Sequence, residues 1–216
     1  MKKLFIFDLD GTLVNSLYDL ADSMNEVLRS HGLPTHGTEK YKYFVGNGTL
    51  KLVERALPEE LRNDERISAL HAEFAGVYGK NALNKTRPYD GIPELLERLK
   101  AEGRLIAVAS NKPHAFSKLI TETLFGEGYF DADFGKRDGV PTKPSPEIMQ
   151  DILTKTGVSA DDAVHSGDSD VDIITAKNAG IESIGCTWGF RTREELLAAG
   201  ADHIADTPAD IFRLIK

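Results

Sequence analysis

Several features are scarce in this chain of 216 residues, and each scarcity excludes a class of protein. Cysteine occurs once, at Cys186, so no intramolecular disulfide can form. Lys and Arg total 26 against 34 Asp and Glu, and the net charge of −8 argues against a general nucleic-acid binder. No apolar run approaches the roughly 20 residues that a membrane-spanning helix needs. We therefore expect a cytoplasmic globular protein with neither a nucleic-acid nor a membrane partner.

The strongest local feature is an apolar run that ends in two acids. Leu4 to Phe7 is typical of a strand buried on both faces, and Asp8 and Asp10 follow it with one Leu between them. Open parallel α/β sheets bind their ligands at the carboxyl ends of such strands. Two carboxylates there repel each other unless a cation lies between them. Asp and Gly are also common where strands turn, so these residues alone leave a functional pair and a simple turn equally open.

The rest of the chain contains two kinds of pattern. From Leu17, apolar residues recur at helical spacing, with Ser16 placed to cap the first helix, and no strong strand pattern occurs before about residue 85. Beyond that point strands and helices alternate with short links, which predicts a parallel sheet with helices on both faces. We predict a doubly wound α/β core formed by residues 1–15 and 86–216, with an all-helical cap, residues 16–85, inserted after the first strand.

Polar residues follow other predicted strands as well. Ser110 and Asn111 follow the second core strand, and Asp168 follows a later one. Lys143 lies in a loop that precedes a helix and can reach the same edge. Because the carboxyl ends of parallel strands lie along one edge of the sheet, these groups are expected to meet Asp8.

This combination of groups suits phosphoryl transfer. Asp8 and Asp168, with a backbone carbonyl near Asp10, supply hard oxygen ligands that suit Mg²⁺. An ionised carboxylate can attack phosphorus and form an acyl phosphate, which water then hydrolyses. Asp10 can point to the same side as Asp8, protonate the leaving alkoxide and later activate water. Charge on the phosphoryl oxygens would be stabilised by the metal ion, Lys143, Ser110 and Asn111.

Four motifs, in this order, resemble those of the haloacid dehalogenase superfamily of phosphohydrolases. They are Asp8-Leu9-Asp10-Gly11-Thr12, Ser110-Asn111, Lys143-Pro144 and Gly167-Asp168-Ser169-Asp170-Val171-Asp172. The resemblance covers essentially the whole chain and implies Asp8 as nucleophile, Asp10 as acid and base, and Lys143 as charge stabiliser. It also implies that Thr12, Ser110 and Asn111 contact the phosphate or the nucleophile. The implied Mg²⁺ site uses Asp8, Asp10, Asp168 and Asp172, and the choice of Asp172 over Asp170 rests on family spacing.

Within this superfamily three further segments are most similar to phosphoglycolate phosphatases: Phe44-Val45-Gly46-Asn47-Gly48, Val53-Glu54-Arg55-Ala56-Leu57 and Asn111-Lys112-Pro113. The resemblance implies that the cap loop Gly46-Asn47-Gly48 lies over the active site and binds substrate. The expected function is Mg²⁺-dependent hydrolysis of a small phosphate monoester through an aspartyl-phosphate. Phosphoglycolate is the leading substrate, and the enzyme is expected to act as a monomer or homodimer.

Two alternatives stay open at this point. The same scaffold and the same residues serve phosphosugar mutases and pyrophosphatases. A non-catalytic phospho-aspartate switch would also use an acidic pocket with a lysine and a hydroxyl. The lid-sized insert of about seventy residues argues against a switch.

Overall fold

The computed structural model describes residues 2–214 of the protein. Its central element is a parallel six-stranded sheet. The strands are β1 (Leu4–Phe7), β2 (Val14–Asn15), β3 (Arg87–Pro88), β4 (Leu105–Pro113), β5 (Ala132–Lys136), β6 (Ala163–Gly167), β7 (Glu182–Cys186) and β8 (His203–Ala205). The main sheet has the order β5-β4-β1-β6-β7-β8. At the end of β1, Phe7 is paired with Val108 of β4 and with Ser166 of β6. The carboxyl ends of the three central strands therefore lie side by side.

Helices cover both faces of the main sheet. The helices are α1 (Leu17–Ser30), α2 (Thr38–Phe44), α3 (Thr49–Ala56), α4 (Asp64–Asn81), α5 (Ile92–Ala101), α6 (His114–Phe125), α7 (Glu147–Thr156), α8 (Asp170–Asn178), α9 (Arg193–Ala199) and α10 (Pro208–Leu214). Successive side chains of a strand point to opposite faces, so Phe5 and Phe7 pack with α5 and α10, whereas Leu4 and Ile6 pack with α7 and α8. The predicted α/β fold class is confirmed.

The four helices α1 to α4 lie between β2 and β3, which pair as a short antiparallel ribbon. These helices share one apolar cluster that includes Leu20, Met24 and Phe74. Asp19 of α1 fixes the returning chain, because its buried carboxylate accepts bonds of 2.7 to 3.0 Å from the Lys85 N–H, the Thr86 N–H and the Thr86 hydroxyl. An all-helical insert is thus present, while the domain boundaries at residues 15 and 85 stay a prediction.

One helix of the insert differs from the prediction. Helix α2 was not predicted, since Tyr41 and Phe44 are its buried residues and they form too short a stripe to recognise. Among residues 2–214, no helix combines the length and the apolar character that a bilayer crossing needs.

Candidate active site

The turn after β1 brings two distant parts of the chain together. Gly11 has φ of +92°, and a Cβ there would lie 2.3 Å from a carboxylate oxygen of Asp168, so the turn needs glycine for both its conformation and its closeness. The same turn lets the Thr12 hydroxyl donate a hydrogen bond of 3.1 Å to Asp168. Asp168 also accepts a hydrogen bond of 2.8 Å from the Phe190 N–H. The strand β6 thus places Asp168 directly beside the Asp8-to-Thr12 segment.

Three buried carboxylates meet at this edge of the sheet. Oxygens of Asp8, Asp168 and Asp172 lie within 4.8 Å of one another. Lys143 is buried among them, with its Nζ 2.9 Å from Asp8 Oδ1 and 2.6 Å from Asp172 Oδ1. The ammonium also donates a bond of 2.7 Å to the carbonyl of Ala109. One positive charge therefore faces three negative ones.

This imbalance shifts the pKa values of the cluster. Burial raises the pKa of Asp8 to about 7, against the opposing effect of Lys143 and with a further rise from Asp172. Burial and the two neighbouring carboxylates raise the pKa of Asp168 well above its usual range. For Asp172, the nearby Lys143 and His165 outweigh burial and hold the pKa well below its usual value. Burial tends to lower the pKa of Lys143, but Asp172 and Asp8 raise it, so this lysine stays protonated.

These residues could hold a divalent cation. Asp8 Oδ1 is buried and accepts no hydrogen bond of ordinary geometry, although the Lys143 ammonium is close. An unsatisfied carboxylate oxygen in a cluster with excess negative charge fits a hard cation. Asp172 is already engaged, by Lys143 and by the Ser169 hydroxyl at 2.6 Å, whereas Asp170 is exposed. Asp172, rather than Asp170, belongs to the cluster.

The side chain of Asp10 lies in a separate group. Its carboxylate accepts bonds of 2.9 and 3.0 Å from the ammonium of Lys112 and one of 2.5 Å from the hydroxyl of Ser16. Ser16 is the N-cap residue of α1 as predicted, but its side chain makes no cap bond, because its hydroxyl donates to Asp10 instead. Burial tends to lower the pKa of Lys112, but Asp10 and the nearby Tyr78 raise it. The carbonyl of Asp10, which the sequence analysis assigned to the metal, stays a prediction.

Lys112 is the residue that the sequence analysis left without a role. It is 3% exposed, and its Nζ lies 4.7 Å from the ring centre of Tyr78 in α4. A lysine directly after Ser110 and Asn111, near the end of the nine-residue strand β4, was the available signal. Buried lysines are nearly always paired, so this position required a carboxylate partner.

Some of the predicted substrate-binding residues line the cavity beside Asp8, whereas Asn47 lies at another cleft. Gly46 and Gly48 line a cavity together with Asp8, Asp10 and Ser110. Asn47 does not, because its side-chain oxygen accepts a bond of 2.8 Å from Arg55 and borders another cleft. Asn111 links the cap loop to the core, since its side-chain amide donates bonds of 3.0 Å to the Gly46 and Lys143 carbonyls and accepts one of 2.8 Å from the Lys143 N–H.

The cavity over the two acids is small and partly covered by the helical insert. Its apolar wall comes from Leu20, Val45 and Leu52, all of which belong to the helical insert. The space open to the centre of a water-sized sphere is about 20 Å³, enough for roughly one water molecule. The cap residues therefore restrict the size of a ligand that this cavity can hold.

The fold and this arrangement of acids and lysines define a hydrolase of the parallel α/β class with a helical cap. A family profile described as haloacid dehalogenase-like hydrolase matches residues 5–186, and the chain belongs to this family. The phosphoglycolate phosphatase of Mannheimia succiniciproducens is 32% identical over 219 residues, covering 99% of this chain and 98% of the relative. That of Pasteurella multocida is 33% identical over 220 residues, with the same coverage of 99% and 98%.

Solved structures agree with these matches. The crystal structure of a predicted phosphoglycolate phosphatase from Haemophilus somnus has a TM-score of 0.90 and 32% identity, covering 100% of this chain and 98% of that one. A crystal structure of a protein from Lactobacillus delbrueckii subsp. bulgaricus has a TM-score of 0.94 and 31% identity, with 100% and 99% covered. The chain is thus an enzyme similar to phosphoglycolate phosphatases, and the predictions of family, fold class and phosphoric monoester hydrolase class are confirmed.

Proposed function

We propose that this enzyme is a Mg²⁺-dependent phosphatase that hydrolyses a small phosphate monoester through a phosphoryl group carried on Asp8, and that phosphoglycolate is its substrate. The observation that carries the proposal is the environment of Asp8. Its carboxylate borders the cavity, with Lys143 2.9 Å away and with Asp168 and Asp172 beside it. Oδ1 of this carboxylate is buried beside Lys143 and the proposed metal site, so the other oxygen of Asp8 is the one proposed to attack a ligand in the cavity.

Asp10 borders the same cavity and supplies the proton transfers. In the first half-reaction an oxygen of Asp8 attacks phosphorus while the bond to the leaving oxygen breaks, and Asp10 gives a proton to that oxygen. In the second half-reaction water attacks the phosphoryl group on Asp8 while Asp10 takes a proton from the water. The Asp8 carboxylate is then regenerated and phosphate leaves.

Other residues of the cluster would hold the metal ion and the phosphoryl group. Asp8, Asp168, the carbonyl of Asp10 and Asp172 as a supporting residue are the proposed metal site. Mg²⁺ bound there would supply positive charge next to the phosphoryl oxygens and keep neighbouring carboxylates ionised. Asp172 holds the Lys143 ammonium at 2.6 Å, so that the charge of Lys143 faces the transferred group.

Hydroxyl and amide groups complete the proposed phosphate site. Ser110 lines the cavity, and its oxygen already accepts a bond of 3.2 Å from the Lys112 N–H, which leaves the hydroxyl proton for a phosphoryl oxygen. Thr12 orients Asp168 through its bond of 3.1 Å. Asn111 joins the cap loop to Lys143, so its proposed contribution is to fix both around the substrate.

The small cavity supports a small leaving group. Leu20, Val45 and Leu52 enclose it on the cap side, and the backbone of Gly46 and Gly48 approaches it closely. The names of the curated relatives, phosphoglycolate phosphatases at 32% and 33% identity, support a two-carbon leaving group of this kind. The enzyme is proposed to act in the cytoplasm on a small phosphorylated metabolite, as a monomer or homodimer. Its proposed core consists of residues 1–15 and 86–216, and residues 16–85 are the proposed cap.

The test is steady-state phosphate release from phosphoglycolate, a sugar phosphate, pyrophosphate and an aryl phosphate. Each is measured with Mg²⁺ or with a chelator, using wild type, Asp8→Asn and the exposed-site control Lys118→Met. We expect the highest kcat/KM for phosphoglycolate, a loss of about a thousandfold or more in Asp8→Asn, and normal rates in the control.

Other outcomes would change the proposal in defined ways. A preference for pyrophosphate or a sugar phosphate would replace phosphoglycolate while keeping the mechanism. Full activity in Asp8→Asn would remove the nucleophile assignment. A stable phosphoprotein without multiple turnover would favour the phospho-aspartate switch.

A further inference from the structure

We propose that Lys112 is a positioning residue for Asp10: it fixes the carboxylate that transfers the proton, and it does not bind the substrate. The inference rests on the proposed function, because it assigns a role within the same reaction. It concerns a buried lysine at the end of β4 whose charge is otherwise unexplained.

The contacts of Lys112 direct its ammonium to Asp10. Its ammonium donates bonds of 2.9 and 3.0 Å to the two oxygens of Asp10, and the ring of Tyr78 covers it at 4.7 Å. The exposed fraction is 1% for the side chain of Lys112 and 12% for that of Asp10. Lys112 lines the cavity together with Asp10, but its ammonium is directed to both oxygens of that carboxylate, which lies closer to solvent than the lysine does.

The backbone of β4 directs Lys112 toward Asp10. Pairing between β4 and β5 is regular up to Ala109 and shifts register before Pro113. Such irregularities re-aim side chains next to active sites. A bond of 3.2 Å from the Lys112 N–H to the Ser110 hydroxyl closes this turn of the chain. The position of Lys112 is therefore built into the strand end.

The two oxygens of Asp10 differ in how they are held. Oδ1 accepts both the Ser16 hydroxyl at 2.5 Å and the Lys112 ammonium at 2.9 Å. Among the described residues, 2–214, Oδ2 accepts a bond from Lys112 alone, at 3.0 Å. Oδ2 therefore keeps a lone pair for the reaction, and Asp10 borders the cavity where the leaving oxygen would lie.

The proton balance does not involve Lys112 itself. When the bond between phosphorus and the leaving oxygen breaks, the proton on Oδ2 of Asp10 moves to that oxygen. When water attacks the phosphoryl group on Asp8, its proton moves to Oδ2. Lys112 keeps its three protons in both steps and acts by holding the carboxylate in one orientation.

The cap contributes to this arrangement through Tyr78. Tyr78 lies in α4, and its ring also packs edge-on against Phe116 of the core at 5.2 Å. With the cap in this position, the ring excludes water from the ammonium, and a desolvated charge pair is stronger than an exposed one. Movement of the cap away from the core would expose the Lys112–Asp10 pair to solvent.

A double-mutant cycle tests the positioning role. kcat and KM are measured with phosphoglycolate and Mg²⁺ for wild type, Lys112→Met, Asp10→Asn and the double variant. We expect Lys112→Met to lower kcat at least tenfold with KM within threefold of wild type. In the Asp10→Asn background the same substitution should change kcat by less than twofold, because a residue that acts through Asp10 has nothing left to position.

Two further measurements keep the role falsifiable. Lys112→Arg should recover part of the lost kcat, and the Kd of inorganic phosphate, measured by calorimetry with Mg²⁺, should stay within twofold in Lys112→Met. A tenfold weaker phosphate Kd, a tenfold higher KM, or an equal loss of kcat in the Asp10→Asn background would overturn the inference. Lys112→Gln replaces Lys112→Met in the cycle if that variant does not fold.

The same experiments separate this inference from the proposed function. Turnover at the wild-type rate in Asp8→Asn would overturn both the proposed function and the positioning role of Lys112. Turnover that depends on Asp8, together with additive effects of Lys112→Met and Asp10→Asn, would overturn the positioning role alone.

Discussion

Asp8 and Asp10 stand two residues apart at the end of one strand, yet their electrostatic surroundings are opposite. Asp8 shares a buried space with two other carboxylates and a single ammonium, that of Lys143. Asp10 is paired one to one with the ammonium of Lys112 and also accepts the Ser16 hydroxyl. The first group is short of positive charge, whereas the second is balanced by the protein alone.

This difference suits the proposed function, in which one strand end performs two chemical tasks. A cluster with excess negative charge can accept a cation, and in its absence burial together with the neighbouring carboxylates raises the pKa of Asp8, the proposed nucleophile, to about 7. A balanced pair needs no added ion and can keep a fixed geometry. Under the proposed function, the different neighbours of the two acids suit one of them to metal binding and the other to proton transfer.

Removing the two lysines one at a time should give the largest difference in stability between the two acid groups. Lys143→Met leaves three buried carboxylates without a cation, and we expect a loss of about 3–5 kcal/mol in the free energy of unfolding. Lys112→Met should cost less, about 1–3 kcal/mol, because Asp10 keeps the Ser16 hydroxyl and the methionine still packs against Tyr78. Urea denaturation at pH 8 with chelator measures both, and equal losses would contradict the comparison.

The two acids should also respond in opposite directions to the same substitution. The pKa of Asp8 rises from 3.8 to about 7 on folding, so folding is penalised as Asp8 ionises between these pH values. Asp8→Asn cannot ionise. Relative to wild type, its metal-free stability should increase from pH 4 to pH 8, by up to about 4 kcal/mol at about 1.4 kcal/mol per pKa unit.

Asp10→Asn is the matched variant. It leaves the ammonium of Lys112 buried opposite a neutral amide, so we expect it to lower stability by about 1–3 kcal/mol at pH 8. Chemical denaturation of both variants and of wild type at pH 5 and pH 8 separates the two effects. If Asp8→Asn exceeded wild type in free energy of unfolding by the same amount at both pH values, burial of the Asp8 charge would not be the cause.

Added Mg²⁺ should distinguish the two groups directly. A cation that binds only the folded state at a concentration one hundred times its Kd stabilises by about 2.7 kcal/mol. We expect this gain, seen as a rise in Tm, in wild type and in Lys112→Met. It should be lost in Asp168→Asn, which removes a carboxylate from the cluster. A gain that depends on Lys112 instead would place the cation at the side-chain carboxylate of Asp10.

The sequence was sufficient for the fold class and for the residues that meet at the sheet edge. Acids that directly follow a buried strand are predicted to lie at the carboxyl edge of the sheet, because the carboxyl ends of parallel strands share one edge. For the same reason Asp8, Lys143 and Asp168 could be predicted to lie together. Helix α2 could not be predicted, since its two buried residues carry too little periodic signal.

What the sequence could not supply is the partner of each charge. Ser16 precedes a helix and has a capping side chain, so local rules assign it to the helix, but its hydroxyl donates to Asp10. Lys112 follows two motif residues, and its pairing with Asp10 depends on a shift of register in β4. Asn47 lies between two glycines of the cap loop, yet Arg55 turns its side chain away from the cavity. Such contacts depend on tertiary packing that no local pattern contains.

The smallest expected difference is between two hydroxyls, one for each acid group. Thr12 donates to Asp168 and Ser16 donates to Asp10, so Thr12→Val and Ser16→Ala should each cost about 1–2 kcal/mol in metal-free protein. Saturating Mg²⁺ should recover much of the loss in Thr12→Val, because a cation at Asp168 replaces the missing donor. It should recover nothing specific in Ser16→Ala, whose carboxylate is held by Lys112. Denaturation with and without Mg²⁺ measures this, and equal recovery in both variants would mean that the two groups are not electrostatically separate.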